Sequence, residues 1–323
     1  MQLSSVNAIN MEISSRCGAR CPFCSRQQKV RPYGNYDITL EDAGKLPPSM
    51  LKQLRRISFA GNFGDFSSNP EFVEIVAYVK HLNPDIAMDG DTNGAAQKED
   101  WWRRLGALFG ENSLTFALDG LADTHAIHRI GIHFDTVIRN VAAFAAGGGS
   151  AFWKFIVFEH NEHQITAAEA LAEEIGCAGF MAVASRDYDH LRRRPQTMPA
   201  KIKRDVYRRQ LERLDGIPHA VRCKPFHKGV IYVAADGTVH PCCFAHLMFI
   251  TEHNSAFQEI VPLIARYHSD INFKTTPLEQ ILAGPYFKAV ASLSRSNAYC
   301  LLKCGTDKAR IREEVVMYEK RFR

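Results

Sequence analysis

Residues 6–24 read Val6-Asn-Ala-Ile-Asn-Met-Glu-Ile13, then Ser-Ser-Arg, then Cys17-Gly-Ala-Arg-Cys21-Pro-Phe23-Cys24. The apolar run predicts a strand, so the three thiols fall on a loop at that strand's C-terminal end. Soft thiolates select zinc, copper(I) or iron-sulfur clusters. A structural zinc site closes with four protein ligands, and no neighbouring His or Cys supplies a fourth here. Three ligands on a four-iron cluster leave one iron open to a further molecule. Zinc or a purely structural role is the alternative.

Working outward, five more strand-like runs alternate with helical segments: Arg56 to Gly61, Ile86 to Asp89, Leu114 to Asp119, Phe152 to Phe158 and Ala178 to Ala184. Thr39 with Asp42 reads as a capping box, and so does Asn161 with Gln164. Asn69-Pro70 reads as an N-cap followed by Pro at the first helical position. Gly147-Gly-Gly ends the helix that starts at Phe134. Such alternation with short loops predicts a parallel sheet with right-handed crossovers. Six units do not close an eight-stranded barrel, so the expected fold is α/β, a partial (β/α)6 TIM-like barrel. Chemistry in such barrels gathers at the C-terminal strand ends. The unusual residues fall there.

After the second strand comes Gly61-Asn62-Phe63-Gly64-Asp65, after the third Asp91-Thr92-Asn93-Gly94, and after the fourth Asp119-Gly120 with His125 and Arg129. Glycines at a strand end let backbone approach a ligand, although each stretch is also an ordinary turn. In the last third, Cys223 is followed by thirteen residues, Gly237, four residues and Cys242, then by Cys300 and Cys304. Val230 to Ala234, the turn Asp236-Gly237 and Thr238 to His240 predict a hairpin between the first two of these thiols. A helical stretch from Leu278 to Ala291 is interrupted at Gly284-Pro285. Four thiols in two pairs suit zinc or an iron-sulfur cluster equally.

The C-x3-C-x2-C loop with an aromatic before the last Cys resembles the signature of the radical S-adenosylmethionine (radical SAM) superfamily. The resemblance implies that Cys17, Cys21 and Cys24 ligate a 4Fe-4S cluster and that its open iron chelates S-adenosylmethionine (SAM), which one electron cleaves to a 5′-deoxyadenosyl radical. It also implies cofactor contacts from Phe23, Gly61, Asn62, Gly64, Asp65, Thr92, Asn93, Asp119 and Arg129, the last pairing with the SAM carboxylate. Asp65 stands where the family's Gly-Gly-Glu-Pro motif has Glu, Phe66 where it has Pro, and Ala117 where a SAM-contacting Ser is usual. The C-terminal pattern is similar to the truncated SPASM domain called Twitch, which implies one auxiliary 4Fe-4S cluster on Cys223, Cys242, Cys300 and Cys304. Cys243 follows a presumed ligand, and its S–H bond suits return of a hydrogen atom to a substrate radical, with a spare or structural thiol as the alternative. A flavodoxin- or ferredoxin-type protein is the implied electron donor.

The expected domains are the barrel over 1–215, the auxiliary-cluster domain over 216–310 and a helical tail over 311–323. At 323 residues, with 46% hydrophobic and 23% charged residues, the chain has a globular composition. It carries no apolar run of membrane-spanning length and no signal peptide, so a cytoplasmic location is expected. Nine cysteines, an odd number, fit reduced thiols better than a disulfide framework. Between Arg186 and Arg213 ten Lys or Arg face four Asp or Glu, so the net charge of +5 is local. That segment is a solvated face or a wall attracting an anionic substrate, nucleic acid included. Lys154 is expected in solvent, Cys177 in the core, and His160 and His163 at a helix start rather than on a metal.

The substrate expected from these features is a sugar- or nucleoside-type, anionic small molecule, epimerised, isomerised or oxidised. A peptide and a nucleic-acid base are the alternatives, as are a non-catalytic metal or electron-transfer module and a SAM-dependent methyltransferase without radical chemistry.

Overall fold

A computed structural model describes residues 1–22, 24–185, 221–251, 259–293, 300, 304 and 316–322. Phe23 and the basic segment 186–213 lie outside the described residues, so the expectations placed on them carry no structural account.

All six predicted strands form: β1 Ala8–Met11, β2 Arg56–Phe59, β3 Ala87–Thr92, β4 Ser113–Ala117, β5 Ser150–Val157 and β6 Gly179–Ala184. They pair in parallel in sequence order. Monotonic order with right-handed crossovers sends every connecting helix to the same side of the sheet. Alternation along the strands follows from this. Ile9, Met11, Ile57, Phe59, Met88, Leu114, Phe116, Trp153 and Phe155 are buried on the helix side. There Phe59 meets Phe72 edge-on at 4.8 Å, and Trp102 lies 5.2 Å from Phe116. Each such fully buried side chain contributes roughly 1.5–3 kcal/mol. The opposite face carries Asn10, Ser58, Asp89, Asp91, Thr115 and Lys154, all half-buried or exposed. A polar sheet face that the described residues leave partly open is a place for a ligand.

The predicted hairpin also forms, as β7 Val230–Val233 and β8 Val239–His240. Its first strand pairs in parallel with β1, from Ala8 opposite Val230 to Met11 opposite Val233. The hairpin therefore extends the barrel sheet, and the helix Cys243–Thr251 that follows it brings His246 to within 3.9 Å of Glu12, just after β1. The helices Leu278–Ala283 and Pro285–Leu293 break where Gly284-Pro285 predicts.

The tail departs from expectation. Val316–Arg321 is a strand, β9, antiparallel to β6, and not a helix. An open β6 edge offers unpaired backbone groups, and the β-prone Val316-Met-Tyr318 run takes them. Lys320 Nζ then reaches Glu169 at 2.7 Å. The sheet thus has nine strands in the order β8-β7-β1-β2-β3-β4-β5-β6-β9 and stays open.

Two capping expectations are also revised. Thr39 and Asp42 form their reciprocal box, whereas Asn161 and Gln164 do not. Asn161 Nδ2 donates to the carbonyls of Asp119 and Ile156, and Gln164 Oε1 accepts from Leu121 N and Thr124 Oγ1. Long-range carbonyls and hydroxyls outcompete the local cap, and the two side chains brace the loop after β4. Asn69 precedes a turn, with the helix itself running Phe72–Leu82, and its Nδ2 donates to Ile13 and Ile38 carbonyls at 2.9 and 2.8 Å.

Candidate active site

The cysteine loop leaves β1 at the C-terminal edge of the sheet, where the loops after β2, β3 and β4 converge on it. Gly64 is the closest approach: a Cβ there would lie 1.8 Å from the Ser14 carbonyl oxygen. Only glycine admits this contact. Asp65 N donates to the Arg16 carbonyl at 2.8 Å, tying the second loop to the first. The Asp65 carboxylate, 6% exposed, accepts from Ser67 N, Ser67 Oγ and Thr92 Oγ1 on one oxygen and from Asn93 N on the other. Asp65 thus brackets the loops of β2 and β3, and both of its oxygens are engaged within the protein.

Two donors approach the loop sulfurs. Asn93 Nδ2 lies 3.3 Å from Cys17 Sγ, and Arg129 Nη1 lies 3.8 Å from Cys21 Sγ. Arg129 is held by Asp119, whose fully buried carboxylate accepts from Arg129 Nε at 2.6 Å and from Ile156 N at 2.8 Å. Burial works against the Arg129 charge, yet Asp119 and Cys21 outweigh it and the guanidinium pKa is raised. His125 Nδ1 accepts from Asp119 N at 3.3 Å, and burial lowers that imidazole to about 4, so it is neutral. Burial, helped by Asp65, pushes the Cys17 thiol up to about 11, and burial also raises Cys21. Binding a metal deprotonates such thiols and releases their protons. The N–H donors on Cys17 and Cys21 suit sulfurs that carry negative charge, so the donor set fits a thiolate-ligated cluster.

The second set of cysteines comes together only in part. Cys223 hydrogen-bonds Cys304, an interaction that together with burial raises its pKa, and Cys242 lies close enough to act on both Cys223 and Cys300. Burial pushes Cys242 and Cys300 up to about 12. Among the described residues, no three His, Cys, Asp or Glu side chains have metal-holding geometry; the fold gathers the thiols without drawing them into a closed cage. No disulfide links the cysteines. Cys177 is buried in the core as expected, with a thiol pushed up to about 12 by burial. His160 stacks on Phe158 at 5.3 Å. Lys154 lies half-buried on the sheet face turned away from the helices, in register with Ala117 and Met181.

Between the two constellations lies a group that the sequence reading missed. Glu12 is 1% exposed. Its Oε1 accepts from Phe63 N at 2.6 Å and Gly64 N at 3.0 Å, and its Oε2 from Tyr232 OH at 2.9 Å. Asn62, expected at the cofactor, turns its amide to Tyr232 OH and the Cys243 carbonyl. His246 packs against Tyr33, Phe63 and Tyr232, with Nδ1 3.9 Å from Glu12 Oε2. The available signal was a carboxylate inside the run Val6 to Ile13, which requires partners when buried.

Burial raises the Glu12 pKa from 4.5 to about 7, against the opposing pull of its donors. Between those two values the folded chain holds a proton that the unfolded chain has released. Stability therefore falls as pH rises through that window, by on the order of 3 kcal/mol at one pKa unit per 1.4 kcal/mol. Urea midpoints of wild type and Glu12→Gln between pH 4.5 and 7 should converge at low pH and separate toward neutrality, with the wild-type slope the steeper. Parallel curves refute the assignment.

A family model described as the radical SAM superfamily matches residues 11–171. The tungsten-containing aldehyde ferredoxin oxidoreductase cofactor-modifying protein of Pyrococcus furiosus is 29% identical over 126 residues, 38% of this chain and 33% of the relative. The chain thus aligns with about a third of that relative's length. PqqA peptide cyclase of Gluconobacter oxydans is 26% identical over 263 residues, 73% of this chain and 70% of the relative. Among solved structures, Streptococcus suis SuiB bound to precursor peptide SuiA superposes with a TM-score of 0.56 at 12% identity, covering 89% of this chain and 67% of SuiB. That likeness concerns the fold. Among the described residues no helix is long and apolar enough to cross a membrane.

Proposed function

The chain belongs to the radical SAM superfamily, and from that premise we propose that Cys17, Cys21 and Cys24 hold a 4Fe-4S cluster beside SAM in an enzyme that takes a hydrogen atom from a peptide. When bound, the cluster supplies the electron that cleaves SAM to a 5′-deoxyadenosyl radical. The observation that carries this reading is the pair of donors on the loop sulfurs, Asn93 on Cys17 and Arg129 on Cys21.

Each residue has a proposed part. Gly61, Gly64 and Thr92 shape the wall against which the cofactor lies, with Asp65 as its bracket. Arg129 has five N–H donors, and the contacts to Asp119 and Cys21 use two of them; the others would pair with the SAM carboxylate. Cys223, Cys242, Cys300 and Cys304 hold an auxiliary 4Fe-4S cluster. Cys243 returns a hydrogen atom to the substrate radical, its S–H bond breaking as the C–H bond forms, and the thiyl left behind takes an electron from the flavodoxin- or ferredoxin-type donor and a proton from water.

The name of the relative that aligns over most of this chain, a peptide cyclase, favours a peptide substrate. The sheet face turned away from the helices, with Asn10, Ser58, Asp91, Thr115 and Lys154, supplies polar partners for one. A second reading, a sugar- or nucleoside-type substrate, draws on the same face, because hydroxyl-rich molecules also need such partners.

The test is anaerobic: reconstitution with iron and sulfide, reduction with dithionite, and assay for 5′-deoxyadenosine after SAM is added. Peptide and sugar or nucleoside pools are then offered in heavy water. Label is expected in a peptide product for wild type and not for Cys243→Ala. Absence of 5′-deoxyadenosine from iron-loaded protein ends the enzymatic reading, and unlabelled wild-type product ends the role of Cys243.

A further inference from the structure

The start of the helix Cys243–Thr251 is attached to the barrel through a chain of three buried or half-buried side chains, each bond with a defined direction. Asn62 Nδ2 carries two hydrogens. One goes to the Cys243 carbonyl at 2.9 Å and the other to Tyr232 OH at 3.1 Å. The Tyr232 oxygen, accepting from Asn62, donates its own proton to Glu12 Oε2 at 2.9 Å. The other carboxylate oxygen of Glu12 holds the N–H groups of Phe63 and Gly64. With Glu12 ionised, as at pH 8, a carboxylate at one end and a carbonyl at the other leave the chain one polarity.

Packing reinforces the chain. Tyr232 is fully buried, and a Cβ on Gly61 would come within 2.7 Å of Glu12 Oε1, so the loop cannot move off the carboxylate without losing contact along its length. The groups facing the clamp are Tyr33 and Asp236 near Glu12, His246 at 3.9 Å from Oε2, and Lys29, which lies over the rings of Tyr33 and Phe63. Among the described residues Tyr232 is the side chain that hydrogen-bonds both Asn62 of the loop from β2 and the Glu12 carboxylate, so its hydroxyl is the joint.

We propose that Tyr232 is a positioning residue: through Asn62 and Glu12 it fixes the backbone of Cys243 against the loop Gly61–Asp65, so that the thiol and the cofactor wall keep one mutual geometry. The chemical consequence rests on the reading of Cys243 as hydrogen-atom donor, whereas the clamp itself does not.

The test uses the full-length protein, reconstituted anaerobically, at pH 8. Alkylation of Cys243 by iodoacetamide is followed by peptide mass spectrometry, and SAM binding by equilibrium dialysis. For Tyr232→Phe, Cys243 is expected to alkylate about tenfold faster, the size set by loss of one or two net hydrogen bonds. SAM affinity stays within about twofold, because Glu12 Oε1 still holds Phe63 and Gly64.

Asn62→Ala cuts the same chain at a half-buried site and is expected to accelerate alkylation equally. The double variant should add little beyond either single change, the mark of a shared path. Unchanged alkylation in both single variants overturns the proposal, as does full additivity. If Tyr232→Phe fails to fold, Asn62→Ala decides alone. Failure of the donor reading shows differently, as normal turnover and labelling by Cys243→Ala with the alkylation result intact.

Discussion

Replacing Cys17, Cys21 or Cys24 by Ala is expected to lower 5′-deoxyadenosine formation by at least about a hundredfold, since removal even of an outer partner of a metal ligand costs about 10–100-fold. Iron bound per chain should drop in the same variants, while the parallel sheet persists, because the loop lies outside the strands and its thiols are only half-buried. Cys177→Ala is the control. That thiol sits in the helix-side core, so its loss should leave cofactor cleavage intact and cost stability alone. Asn93→Ala falls between, as it removes the donor on Cys17 Sγ and leaves the ligand. Iron content by colorimetric assay and 5′-deoxyadenosine by chromatography check the series, and equal loss across all five variants contradicts the assignment of the loop.

Asp119→Ala is expected to destabilise the fold by roughly 3–5 kcal/mol, the cost of leaving a buried charge without its partner. The Arg129 side chain is 15% exposed and the Asp119 carboxylate fully buried, so water replaces little of what is lost. The same change strips Ile156 N of its acceptor. Asp119→Asn retains an oxygen for that N–H and gives up only the charge, so it should lose less. Urea unfolding of both variants measures the difference. Equal losses under 1 kcal/mol would show that the pair adds nothing beyond a surface bridge. Because Arg129 also reaches Cys21 Sγ, both variants should weaken iron binding as well as stability.

Much of this molecule was legible before any coordinate. Six strands, the hairpin and the break at Gly284-Pro285 follow from short-range chemistry: apolar alternation, turn residues, and a proline that cannot continue a helix. The cysteine spacing likewise pointed to the family. The capping box at Thr39 formed because its partners are three residues apart, and the distant Lys274, 2.9 Å from Asp42 Oδ2, shares the carboxylate without displacing it.

What needed tertiary structure was each choice between a local partner and a remote one. Asn161 and Gln164 have the spacing of a cap, yet carbonyls and hydroxyls of the loop after β4 claim them. The tail turned from expected helix to strand because β6 presents an open edge, a property of the assembled sheet and of no short segment. Glu12 reads as one of three polar residues in the run Val6 to Ile13 until β7 docks beside β1 and brings Tyr232 to it across 220 residues. The sequence alone determined the strands β1 to β8 and which thiols share a loop, since those depend on neighbours along the chain. Only the folded sheet decided which buried polar groups meet, because each must find a partner wherever the packing brings one within reach.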